Sequence, residues 1–407
     1  MREALRWTSC QDDTLSAMDM TADTMTASVP GIPPTWRFVL SVATAHLRSQ
    51  PMPVETPADL DWNQVFEFAV HHGLVPLFCW NIRQQGIRVP DSSALDAYCR
   101  ESGIQALRLS AALVPIVTLF SERQIPVLAF KGPSLASLLY SNETMRSYAD
   151  LDFLLMPQDV ERARIALQQD GWIVTQDIAS IHERSFLQSQ CEYGLVRNKT
   201  LVELQWALAP RFFSLDLPLG DMMRRAVTVQ VIGAEVNTLA ADDLFIALAV
   251  HGAKHLWTRL DWVLDIAALL RAETIDAKRV AELTGQYHLE RIVAVSALLA
   301  AKVSDISIPA PLSAFIAKDP QAAVIASALF ENAVNDARSY PLETLAYLKM
   351  FANLRERWTD RASLFLRLFF TPGLSEWRLV RLPRGMHWLY RPMRVIRLAS
   401  RLSRGAW

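Results

Sequence analysis

Ser147-Tyr148-Ala149-Asp150-Leu151-Asp152-Phe153-Leu154-Leu155 decides how this chain is read. The apolar run from Leu151 to Met156 predicts a buried strand, and in an extended segment successive side chains alternate between faces. Asp150 and Asp152 then share one face, while Leu151, Phe153 and Leu155 anchor the other in a core. Two like charges on one face are costly unless something neutralises them. A divalent cation is the usual solution, because hard cations take carboxylate oxygens. The plain alternative is a pair of solvated aspartates at a strand edge, and an Asp-x-Asp triplet alone does not separate the two.

Upstream, Ile125 to Phe130 is a short apolar run, read as a strand, that ends at Lys131-Gly132-Pro133-Ser134. Pro133 suits the first position of a helix over Ser134 to Tyr140. A small-residue turn at a helix N-terminus exposes backbone N–H groups and the positive end of the helix dipole, which suits phosphate. Lys131 adds a charge and Ser134 a hydroxyl. The spacing is not that of a Walker A loop, and a plain turn reads the same way. Arg146, four residues before Asp150, can reach a triphosphate or pair with the aspartates. Downstream, Pro157 to Asp170 predicts a helix stopped by Gly171, and Trp172 to Thr175 a third strand. Glu192 to Val196 and Leu201 to Trp206 predict a hairpin across Arg197-Asn198-Lys199-Thr200. In its second strand Val202, Leu204 and Trp206 face one side, with Glu203 and Gln205 on the other. Glu203 can complete a metal cage, or stand as an ordinary exposed strand glutamate.

Around this centre the pattern is helical. Residues 1–33 read as a poorly ordered leader rich in Thr, Ser, Asp and Met. The sequence divides further into a helical region over 34–123, a core over 124–240, a helical domain over 241–354 and an Arg-rich tail over 355–407. Asp242-Asp243 is read as the cap of a helix or helix pair running to residue 271. The fold class is α+β, a small mixed sheet flanked by helices. Hydrophobic residues at 51% and charged residues at 20% suit a soluble globular enzyme. The net charge of −1 hides an asymmetry. The tail holds twelve arginines, no lysine and three acids, a net +9, which leaves −10 on the remainder. Such a tail can bind phosphate-rich partners or a membrane surface, or dock on its own acidic body. The interleaving in Trp377-Arg378-Leu379-Val380-Arg381-Leu382 favours docking.

Cys10, Cys79, Cys99 and Cys191 show no paired spacing, so reduced thiols and a cytoplasmic location are expected. No signal-peptide pattern is present. The longest uncharged apolar run, between Arg108 and Glu122, contains Pro115 and is too short to span a bilayer. His251 and His255 sit four apart, but Gly252 stands where a metalloprotease helix needs Glu, so packed imidazoles are expected. The pair His71-His72 is read as structural. There is neither a nucleophile elbow nor a Rossmann glycine pattern.

Taken together, Lys131-Gly132-x-Ser134, Tyr140, Arg146, Asp150-x-Asp152 and Glu203-x-x-Trp206 resemble the polymerase-β-type nucleotidyltransferases. The resemblance is greatest to a bacterial subgroup described only as a nucleotidyltransferase family. The segment from His251 to Asp265 and the Pro- and Arg-rich end from Arg378 to Arg397 are similar too, so most of residues 36–400 are covered. The resemblance implies a phosphate-binding turn at Gly132 and Ser134, a metal-binding pair at Asp150 and Asp152, and a third acid at Glu203. It implies two Mg²⁺ ions, with Mn²⁺ an alternative. It also implies transfer of a nucleoside monophosphate from an NTP such as ATP to a hydroxyl of a small molecule, peptide or protein. Three departures stand out. Pro133-Ser134 replaces the usual small pair, the Gly132 to Asp150 spacing is long for the superfamily though it fits the subgroup, and Gln205 replaces an expected His. Two rival readings are a non-catalytic peptide- or protein-binding module and a nucleic-acid-binding protein using the tail. The tail's lack of Lys and of aromatics in a groove pattern makes nucleic acid the weaker rival.

Overall fold

Leu151, Phe153 and Leu155 are all buried, which is what draws the aspartate strand into the centre of the molecule. The computed structural model describes residues 32–47, 53–90, 92–176, 182–272, 274–334 and 344–403. Residues 1–31 of the expected leader lie outside them. Five strands form one mixed sheet: β1 (Leu128–Ala129), β2 (Asp150–Leu154), β3 (Ile173–Val174), β4 (Glu192–Arg197) and β5 (Thr200–Gln205). Their order is β1-β2-β5-β4-β3. Strands β2 and β5 are parallel, and every other neighbouring pair is antiparallel. The α+β class is therefore observed, with helices dominating around a small mixed sheet.

One face of the sheet carries the core. Leu109, Leu113, Ile116 and Phe120 from the helix Ser92–Glu122 meet Phe153 and Leu155, and Val160, Ala163 and Leu167 from the helix Val160–Gln169 join them. Phe120 and Phe153 pack edge to face at 5.5 Å between centroids. The predicted hairpin is present, and Asn198 and Lys199 both have positive φ, 49° and 62°, as a two-residue hairpin turn requires.

Several elements differ from expectation for local reasons. Strand β1 is only two residues long, because the segment before it closes the preceding helix. Gln124 is left-handed with φ 52°, and the Ile125 N–H bonds Phe120 O at 2.9 Å. The helix Ser92–Glu122 runs through Pro115 for 31 residues. The whole helix, longer than the uncharged run within it, is by length and composition alone apolar enough to cross a membrane. It lies here against the sheet as a core helix. Asp242 and Asp243 do not cap. The cap position is Ala240, while Asp243 is fully buried against Arg225 at 2.6 Å and Asp242 receives the Asp276 N–H at 2.9 Å. Cys79 and Cys99 form a disulfide between two helices, with Cα atoms 6.0 Å apart. That corrects the expectation of reduced thiols and removes its argument for the cytoplasm. A hairpin of β6 (Val227–Val231) and β7 (Ala234–Thr238) went unread, although its Val-Thr-Val-Gln-Val alternation and Gly233 turn signal it.

The helical body is tied to the sheet by charge. Arg146, just ahead of β2, bonds Asp265 Oδ2 at 2.9 Å and Oδ1 at 3.2 Å, and Tyr140 donates to the same carboxylate at 3.3 Å. Both Arg146 and Asp265 are buried. Removing one member leaves the other charge buried and alone, which costs about 3–5 kcal/mol, whereas replacing both by apolar residues is often neutral. Asp265→Ala is expected to lose that much in urea denaturation, with the double variant Arg146→Met/Asp265→Leu recovering most of it. A single variant as stable as the parent would remove the pair from its structural role.

Candidate active site

Asp150 and Asp152 point to the face of β2 opposite the core. In the parallel pairing of β2 with β5, Asp152 is the register partner of Glu203. Side chains of register partners share a face, so three acids on two adjacent strands converge. A fourth, Glu192, pairs in register with Gln205 on the antiparallel side and joins them. Opposite Glu203 on β4 stands Gly194, which adds no side chain to the crowd.

The acids are held by cations and by one amide. Lys131 Nζ lies 3.4 Å from Asp152 Oδ1. Gln205 Nε2 donates to Asp152 Oδ1 at 2.6 Å and to Glu203 Oε2 at 2.9 Å. Lys254 Nζ lies 3.8 Å from Glu192 Oε2. These partners do not cancel the charge. Burial, then the neighbouring Asp152, lifts the Asp150 carboxyl to about 6. Burial, then Glu192, Asp152 and Asp150, lifts Glu203 to about 8. Burial opposes the Lys254 ammonium, yet Cys191, Glu192, Glu203 and Asp152 around it hold its pKa above the ordinary value.

The turn Lys131-Gly132 runs beside the strand as expected. Gly132 has φ 56°, and a Cβ there would sit 3.3 Å from the Asp150 carbonyl oxygen. The helix Gly132–Tyr140 starts at this point with Pro133 in its first turn. Ser134 differs from expectation. It is fully buried, and its Oγ lies 2.6 Å from Ala129 O and 2.9 Å from Lys131 O. The hydroxyl closes the turn and faces inward, so the phosphate-facing role expected for it is corrected. Arg146 is corrected likewise: its guanidinium is committed to Asp265, and it touches Asp150 only through its field, which lowers that carboxyl's pKa.

The sequence offers the face of His251 and His255 as a border of the site, with Lys254 and Arg259 as phosphate partners, but does not reveal the tie that Gln205 makes between the acids. His251, Lys254 and His255, at the end of the helix Ala241–Lys254, are only partly buried, on the side that feels Lys131. Burial and the nearby cations push His255 down to about 3 and His251 well below its ordinary value, so both imidazoles are neutral. They pack with Trp262, at 4.8 Å from His251 and 5.2 Å from His255. Gly252 is required because Trp257 folds onto it: a Cβ would meet the Trp257 indole nitrogen at 2.1 Å. Arg259 is spent on Asp261 at 2.6 Å, which leaves Lys254 as the cation this segment gives the acids. Cys191, buried next to Glu192, has its thiol pKa raised by burial and is no nucleophile.

Chemically the donor set is hard carboxylate oxygen with excess negative charge, which fits Mg²⁺ or Mn²⁺. Among the described residues no three acidic, His or Cys side chains are already gathered as a cage, since Gln205 and Lys131 stand between the acids. A mixed sheet with in-register acids on parallel strands, a glycine turn beside them and a helical surround defines the class: a nucleotidyltransferase core. The family described as uncharacterised nucleotidyltransferase matches residues 58–305, and the chain belongs to it. Comparisons with curated proteins and with solved structures gave no match.

Asp150 and Glu203 hold their protons to higher pH in the fold than their ordinary values of 3.8 and 4.5. The folded state therefore binds more protons than the unfolded chain between those values and about 8, and stability falls as pH rises through that window. With a chelator present, the melting temperature is expected to drop from about pH 5 to about pH 8, and Glu203→Gln to flatten the profile. An unchanged slope in that variant would assign the titration to other groups.

Proposed function

We propose that the chain transfers a nucleoside monophosphate from an NTP to a hydroxyl of a small molecule, peptide or protein, with release of pyrophosphate. The observation that carries this reading is the convergence of Asp150, Asp152 and Glu203 on one sheet face beside Lys131 and Lys254. Mg²⁺ or Mn²⁺ held by the three acids would neutralise the triphosphate and acidify the acceptor hydroxyl. The rest falls to the chain's own groups. The Gly132 turn and the start of its helix offer backbone N–H groups to phosphate. Lys131 and Lys254 balance phosphate charge that the acids alone would repel. The acceptor oxygen forms a bond to the α-phosphorus, the bond to the bridging oxygen breaks, and pyrophosphate leaves with that electron pair. Glu203, ionised once a cation balances the cluster, or one of the two aspartates would accept the acceptor's proton. Neutral His251 and His255 and the Trp262 ring give the neighbouring wall a face suited to a base or an acceptor.

A second reading, a module that binds without turnover, draws on Gln205. Its amide already ties Asp152 to Glu203 without any added ion. Thermal shift separates the two. On the transferase reading Mg²⁺ with an NTP raises the melting temperature more than either does alone, because ligands of the native state stabilise it by mass action. No shift with any of the four NTPs at millimolar concentration supports the binding module.

Asp152→Asn keeps the side-chain volume and the Gln205 contact but removes a charge. Loss of transfer of about 10²-fold or more is expected from a misplaced phosphate and acceptor, with a melting temperature close to the parent. Measured with labelled NTP and a cell lysate as the source of acceptor, parent-like turnover in the variant would sink the assignment.

A further inference from the structure

The last segments of the chain reverse the usual order of inside and outside. Glu376, 1% exposed, is buried against Arg394 at 3.3 Å and against Arg397. Nine of the twenty large apolar side chains that stand exposed among the described residues fall between Trp358 and Ile396, so the reversal is concentrated here. Leu379 is 67% exposed, Trp388 63% and Ile396 69%, with Val380 and Met386 also outside. Arg378, Arg381 and Arg391 stand exposed among them. No acidic side chain pairs with any of these three among the described residues. By contrast, Arg357 and Arg367 dock on the body through Glu290 at 2.9 Å and Asp216 at 2.6 Å, as expected for the tail.

The segments that carry these side chains are joined to one another. Tyr390, buried, donates to Val380 O at 2.8 Å and accepts from the Leu382 N–H at 2.8 Å. That pair folds the link after the helix Leu374–Leu379 against the start of the helix Tyr390–Ser403. The latter helix turns Arg394 and Leu398 inward and leaves Arg391, Pro392, Ile396 and Ala399 outward. Beside it lies a groove of about 520 Å³, walled by Phe370 and Trp388 and rimmed by Arg211, Arg367 and Arg391. Trp377, 5% exposed, lines it, and its indole N–H has no partner among the described residues.

We propose that this surface docks the protein on an anionic phospholipid bilayer. Apolar side chains interspersed with arginines suit the boundary between headgroups and acyl chains, where Trp and Leu sink while guanidinium groups stay with phosphate. A protein interface would put a charge-poor apolar patch at its centre, and here exposed Arg378 and Arg381 flank Leu379 and Val380. Charge gives the orientation. The segment 355–407 carries +9 and the remainder −10, so a negative membrane attracts this face and repels the others. The docking is independent of nucleotidyl transfer.

The test is co-sedimentation of the full-length protein with vesicles of phosphatidylcholine alone, or of phosphatidylcholine and phosphatidylglycerol in equal parts. Binding to the anionic vesicles only, weakening as salt is raised, is expected. Arg378→Gln/Arg381→Gln should weaken it by about fivefold for each charge removed. Trp388→Ser/Ile396→Ser should weaken it too, with an unchanged melting temperature because both side chains are exposed. Equal binding to neutral vesicles, no binding to anionic ones, or anionic binding indifferent to salt would overturn the proposal, and the salt series needs no variant to fold. RNA binding that the arginine variants abolish, with vesicles ignored, would assign the surface to nucleic acid instead.

Discussion

Four carboxylates on one face of a five-stranded sheet repel one another, and much of the surrounding structure answers that repulsion. Lys131 comes from the turn at one end of the strand pair, Lys254 from the end of a helix on the other side, and Gln205 from between the acids. Each reduces the cost of keeping Asp150, Asp152, Glu203 and Glu192 together, and none removes it. Burial, and after it the residual charge, is why Glu203 keeps its proton so far up the pH scale. A cation entering this cluster would be bound at the expense of the acids' own repulsion rather than of well-satisfied contacts.

The opposite face makes this possible. Leu151, Phe153, Leu155, Val202 and Leu204 fix the two parallel strands in the core. The acids therefore cannot relieve their repulsion by sliding, because a shift of one residue would turn them into the apolar side. The Arg146 and Asp265 pair does similar work at longer range, since it fastens the residue ahead of β2 to the helical body that supplies Lys254. Sheet, turn and helix end are in this way held in one relation.

The strands and the acids were legible in the sequence because both follow period-two alternation, which a single strand states by itself. The pairing of Asp152 with Glu203 was legible only as an expectation, since register between distant segments is settled by tertiary packing. What was not legible depends on direction. Ser134 and Arg146 have the right chemistry for phosphate, but burial turned one hydroxyl to its own backbone and gave one guanidinium to an aspartate 119 residues away. Gln205 was noted only as a departure from an expected His, and its amide turns out to lie between two acids. The cysteines misled for the same reason: Cys79 and Cys99 sit on different helices and meet only when these pack.

The two-residue turn at Asn198 and Lys199 has a consequence beyond closing a hairpin. Its paired left-handed residues set which residue of β4 faces which residue of β5, and thereby put Glu192 across from Gln205 and a glycine across from Glu203. An insertion or deletion of one residue there would leave every acid in the chain and still exchange the polar and apolar rows of the hairpin. The length of this loop is thus as much a determinant of the acidic face as the carboxylates, and related chains are expected to hold its residue count and to keep side chains that tolerate left-handed backbone there.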